Sequence, residues 1–139
     1  MKEIIAILLL GLLAGCATVQ TAQVDADYVL ALSTANRFLE AWRIRDQDAG
    51  LALLSPRLRK SQAEDEWRMA ISGCSNPHHQ SYEITGGRRL PDGRIQFDVW
   101  LHDHYTGQRY GASPRNAAEH IILIELEREQ WRVDDTPQL

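Results

Sequence analysis

The sequence predicts a single α+β domain, helices first and an antiparallel sheet after them, behind a short apolar leader. Three observations predict it. Apolar residues recur at steps of three and four up to Gly73, alternate singly from Gln80 onward, and the alternating runs are joined by turn residues rather than by helices. Neither an internal repeat nor a low-complexity tract interrupts that order.

The leader comes first. "MKEIIAILLLGLLAGC" has a short polar start with Lys2, an apolar run from Ile4 to Leu13, and small residues before Cys16. The run is shorter than the about 20 residues a membrane-spanning helix needs, and it has the build of a secretory signal, although Glu3 departs from the usual positive start. Leu13-Ala14-Gly15-Cys16 resembles the lipobox of bacterial lipoproteins at all four positions. That resemblance implies cleavage before Cys16, a diacylglyceryl thioether on its sulfur and an acylated new N-terminus. Residues 1–15 are then a signal peptide, 16–24 a lipidated tether and 25–139 the domain. Ala17, where an aspartate would hold a lipoprotein back, resembles the pattern passed on to the outer membrane. The expected location is the cell envelope, on the periplasmic face of the outer membrane in a Gram-negative host. Two or more acyl chains anchor stably where one does not, so the domain is tethered to a membrane but folds in water.

Each element has its own signal. Tyr28, Ala31, Leu32, Ala35, Phe38, Leu39 and Trp42 form one apolar stripe of a long helix between Asp25 and Ile44, with Asp25 or Asp27 to cap it. "RIRDQD" interrupts the stripe, and Asp46 is placed to cap a short second helix through Leu54. Ser55-Pro56 sets a cap residue before a proline at a first helical position, a restart signal. "AEDEWRMAIS" carries acids in its first turn and ends at Gly73, as a helix that complements its own dipole. Residues 80–90 and 94–105 flank "PDG", which predicts a hairpin, and Gly86-Gly87 inside the first of them reads as a bulge. "TGQRYGASPRN" is a loop, "AEHIILIELE" a third strand and "WRVDD" a fourth.

Composition bounds the function. The net charge is −4, unchanged by loss of the leader because Lys2 and Glu3 cancel, and no basic stripe offers an electrostatic footprint for nucleic acid. What remains after cleavage exceeds the size below which folds need disulfides or metals. Beyond Cys16 the one other cysteine is Cys74, which as a lone thiol reads first as a small buried hydrophobe. Ser–His–Asp signatures, Gly-rich phosphate loops and paired CxxC motifs are absent. No cofactor is expected.

"FLEAWRIRDQDAGLALLSPRLR" and the closing "QWRVDD" resemble NTF2-like (cystatin-like, SnoaL-type) domains over residues 30–135. The resemblance implies a cone, in which a curved sheet wraps the long helix around a pocket and dimers form through the outer sheet face. On that reading Phe38, Trp42, Phe97, Leu101 and Tyr105 line a pocket for a small apolar ligand. With Trp67 and Trp131, the same large side chains are also enough to plug it.

The candidate chemistry centres on "VWLHDHYTG", Val99 to Gly107. By strand alternation Ile95, Phe97, Val99 and Leu101 share the buried face, and Asp103 and Tyr105 continue it. Gln96, Asp98, Trp100, His102 and His104 share the other. His102 and His104 are therefore a weak candidate metal pair on a polar face, since zinc needs a third ligand and usually a fourth, and nothing fixes His78 or His79 near them. Trp100 among these neighbours suggests a homodimer contact instead. Asp103 at the mouth of an apolar cavity is a candidate general base, with His120 and Tyr82 completing a set; the alternative is that Asp103 caps the following loop. The parity of His120 with Ile122, Ile124 and Leu126 points it inward. The sequence thus reads as a non-catalytic binding or scaffolding module, for a small apolar ligand or a protein partner. An isomerase- or cyclase-type enzyme and a pure assembly component with a filled cone are the alternatives.

Overall fold

In the computed structural model of the chain, residues 25–72, 78–105, 119–127, 129–137 and 139 are described. The apolar stripe of the first helical segment becomes α1 (Ala26–Ile44), in which Ala31, Ala35, Phe38, Leu39 and Trp42 are buried. Asp25 caps it, accepting the Tyr28 N–H at 3.2 Å. The helix stops without a glycine. Arg45 takes the left-handed conformation at φ 64°, and the N–H groups of Arg45 and Asp46 close onto the carbonyls of Trp42 and Ala41 at 3.2 and 2.8 Å, a Schellman arrangement. Asp46 at once caps α2 (Gln47–Leu53), accepting from Ala49 N at 3.0 Å. Ser55 caps the single turn α3 (Pro56–Arg59), and α4 (Glu64–Ser72) opens on three acids.

The period-two half forms β1 (His78–Arg89), β2 (Ile95–Tyr105), β3 (Glu119–Glu127) and β4 (Gln130–Asp135), an antiparallel meander in the order β1-β2-β3-β4. Pro91-Asp92-Gly93 turns the first hairpin as expected. Gly93 N–H reaches Leu90 O at 3.0 Å, and Gly93 takes φ 88°, a conformation glycine adopts without strain. The alternation of β2 holds: Ile95, Phe97, Val99 and Leu101 are buried, while Gln96, Asp98 and Trp100 lie on the other face. The expected bulge is also present. Ile84 pairs with Val99 and Gly86 with Asp98, leaving Thr85 as the extra residue.

Gly87 then faces Phe97, and a Cβ there would stand 2.5 Å from the Phe97 ring and 2.6 Å from the Tyr28 hydroxyl. The absence of a side chain at this position admits the edge-to-face contact of Tyr28 and Phe97, centroids 5.2 Å apart, which locks α1 to the sheet.

One parity expectation is corrected. Ile121 and Leu123 are fully buried and His120 is exposed, because β3 registers on β2 with Phe97 opposite Ile121 and Asp98 opposite His120. Four consecutive apolar residues, Ile121 to Ile124, leave the phase open within the strand itself, and pairing with β2 decides it.

The helical and sheet halves meet at Asp134, 3% exposed. Ser55 Oγ donates to its carboxylate at 2.6 Å, Arg57 Nε donates at 3.0 Å, and Arg94 approaches at 3.5 Å; Arg57 also bonds the Asp134 carbonyl. Ser55 N–H adds a bond to Val133 O at 2.7 Å beside a parallel bridge of Leu54 to Val133. Burial pushes the Asp134 carboxyl up, but the hydrogen bonds from Arg57 and Ser55 and the charges of Arg57 and Arg94 together hold it below the ordinary carboxylate range.

Two outcomes follow for the full chain. Asp134→Asn, which keeps an acceptor but removes the charge, should lower stability by about 1–3 kcal/mol in urea unfolding at neutral pH. A folded pKa below the unfolded one means that the stabilisation is full above about pH 4 and is lost as pH falls through the folded value, so variant and parent should converge in strong acid. Gly87→Ala should destabilise by about 1–3 kcal/mol through overpacking against Phe97, read in the same unfolding experiment.

Candidate functional site

One concavity lies outside the inner face of the sheet. It is a groove of about 510 Å³ between α1, α2 and β1, lined by Asn36, Arg37, Glu40, Ala41, Ile44, Ala49, Ala52, Leu53 and Tyr82. The left-handed turn at Arg45 folds α2 back beside the end of α1, and small side chains at Ala41, Ala49 and Ala52 leave the space between them open. Tyr82 closes the third side from β1. It pairs with Leu101, and its hydroxyl donates to the Asn36 carbonyl at 3.2 Å. A second hollow of about 470 Å³, lined by Leu51, Ala52, Leu54, Pro56, Arg59 and Lys60, shares Ala52 with the first.

Electrostatics sort the polar lining. Glu40 gives both carboxylate oxygens to Arg43, at 2.7 and 2.6 Å, and this hydrogen bonding, opposed by slight desolvation and aided by the Arg43 charge, holds its carboxyl below the usual range. Partial burial, then the nearby Glu40 charge, push the Tyr82 phenol up, with Arg43 pulling weakly the other way. Asn36 spends one amide N–H on the Leu32 carbonyl at 3.2 Å. Arg37 is exposed on the rim.

The residues singled out from sequence separate into different places. Tyr82 lines the groove, whereas His120 is exposed on the opposite face of the sheet across from Asp98, so these two are not brought together. The Asp103 backbone lies opposite Gln80, but the side chains of Asp103, Tyr105, His102 and His104 fall outside the described residues, as do Cys16 and Cys74. Phe38, Trp42, Phe97 and Leu101, expected to line a pocket, are instead 0–1% exposed within the core and line neither cavity. Trp67 and Trp131 join them at 4% and 2%.

Arg89 and Arg94, flanking the first hairpin turn, form ion pairs within the chain, Arg89 with Asp25 at 2.9 Å and Arg94 with Asp92 at 2.8 Å. Trp100 is half-buried on the outer sheet face. Among the described residues no group of three or more His, Cys, Asp or Glu could hold a metal ion, and no helix is long and apolar enough to cross a membrane. No protein-family model matches the chain, and no curated protein matches it in sequence.

Sequence reasoning did not single out Asn36, Arg37, Glu40, Ala49 or Ala52. The available signal was Ile44, a large apolar residue off the buried stripe and 55% exposed. Tyr82 offers a direct check on the geometry. In a spectrophotometric titration of the full chain Tyr82 should ionise later than a free phenol, and Tyr82→Phe should remove a late-ionising component.

Proposed function

We propose that the chain is a lipid-anchored envelope protein whose NTF2-like domain binds or scaffolds without catalysing a reaction. The observation that supports this reading is the burial of Phe38, Trp42, Trp67, Phe97 and Trp131 in one core cluster, at positions an NTF2-like enzyme would use to border an open cavity. The apolar side chains expected to contact a ligand serve the core, and the space for a ligand or partner lies in the outer groove at Tyr82. The lipobox at Leu13 to Cys16 and the small polar residues after it support the anchor. Helices followed by a four-stranded meander support the fold family. The outer sheet face around Trp100 is the proposed homodimer contact, and no cofactor enters the reading.

The alternative enzyme of isomerase or cyclase type draws on Asp103, His120 and Tyr82. The outward position of His120 weighs against it.

Three measurements test the proposal. Cys16→Ser should abolish incorporation of labelled palmitate and move the protein from the membrane to the soluble fraction; retention of both label and membrane association would overturn the anchor. Native mass spectrometry of the lipoprotein extracted in mild detergent should show a bound small molecule or a co-purifying polypeptide. Turnover of a substrate that is lost in Asp103→Asn would overturn the non-catalytic reading.

A further inference from the structure

We infer that the groove between α1, α2 and β1 binds a single-chain amphiphile bearing one carboxylate, its aliphatic body on the apolar wall and its head on Arg37. This rests on the proposed binding role and names the ligand class for it. The volume of about 510 Å³ falls within the range of small-molecule sites, roughly 300–1,000 Å³. The lining is graded along α1. Asn36 and Arg37, with Tyr82 opposite, form a polar end, while Ala41 and Ile44, with Ala49, Ala52 and Leu53 from α2, form an apolar one. From residue 36 to residue 44 the helix rises roughly 12 Å, the reach of a medium-length alkyl chain.

Charge selects the head group. Glu40 stands three residues from Arg37 on the same helix, the spacing of a natural ion pair, yet both of its oxygens are taken by Arg43. The Tyr82 hydroxyl and one Asn36 amide N–H are likewise engaged within the chain. Among the described residues Arg37 makes no ion pair, so the uncompensated charge of the groove is one guanidinium, whose planar fork matches a carboxylate. The second amide N–H of Asn36 is a further donor at the same end. A cationic amphiphile finds no free anion there, and an uncharged one leaves the guanidinium without a counter-ion.

The test uses the full chain carrying Cys16→Ser, titrated calorimetrically with decanoate, 1-decanol and decyltrimethylammonium below their aggregation thresholds. Decanoate should bind saturably at one site, decanol about tenfold or more weaker, and the cation not at all. Arg37→Gln should bring decanoate down to the level of decanol and leave decanol unchanged. Ala52→Phe, which fills the groove from an exposed helical position, should abolish both; Ile44→Asp serves the same purpose if that variant fails to fold by circular dichroism. Equal binding of decanoate and decanol, both lost in Ala52→Phe, would overturn the carboxylate specificity while leaving a binding module in place. Absence of binding by every probe, or binding indifferent to both groove substitutions, would overturn the groove itself as a site.

Discussion

The buried carboxylate of Asp134 is the point on which the two halves of the domain depend. An isolated charge at 3% exposure is strongly unfavourable, and it persists only because three donors converge on it from two separate parts of the chain. Ser55 comes from the junction of α2 and α3, Arg57 from the first turn of α3, and Arg94 from the end of the first hairpin. Ser55 has two roles at once: its hydroxyl donates to Asp134 and accepts the Leu58 N–H that starts α3. Loss of the carboxylate would therefore loosen a helix cap as well as an ion pair. The ordering entropy of a solvent-facing arginine is offset here because its partner is held rigidly inside the sheet.

From that fixed point the groove follows. Val133, next to Asp134, bridges Leu54 at the end of α2, so the C-terminal end of α2 is held on the last strand. The other end is set by the left-handed turn at Arg45. Between two fixed ends α2 has little freedom to slide toward α1, and the small side chains facing the gap cannot fill it. Large rings thus pack under α1, while alanines border the space beside it.

Much of this architecture was legible in the sequence because its determinants are short-range. The caps at Asp25, Asp46 and Ser55, the Pro91-Asp92-Gly93 turn, the glycine bulge and the alternation of β2 are all decided within a few residues. The end of α1 was less so, since arginine rather than glycine adopts the left-handed position. The phase of β3 was misread because apolar residues stand on both of its faces and only the neighbouring strand settles which is inside. The groove was hidden for a different reason. Its alanines carry no chemical signature, and Tyr82 reaches Asn36 across 46 positions of sequence. Phe38, Trp42, Phe97 and Leu101 were correctly placed on inward faces, but whether inward aromatics line a space or fill it depends on how closely helix and sheet approach.

The extra residue at Thr85 has a consequence beyond curvature. It divides β1 into two segments read in opposite frames. Before it, Tyr82 and Ile84 share the inner face with their partners Leu101 and Val99; after it, Gly87 and Arg89 share the face of Phe97 and Ile95. One shift thus lets the same strand present a phenol to the middle of α1 and a guanidinium to the acids at its start, Asp25 and Asp27. Without the shift Arg88 would stand where Arg89 does, and Gly86 would meet Phe97. Removal of Thr85 would keep Gly87 opposite Phe97 and Arg89 opposite Ile95 in an unbroken ladder, whereas one further residue inserted at this point without a second bulge would exchange those assignments, so the frame of the strand depends on its length here and not on the side chain at Thr85.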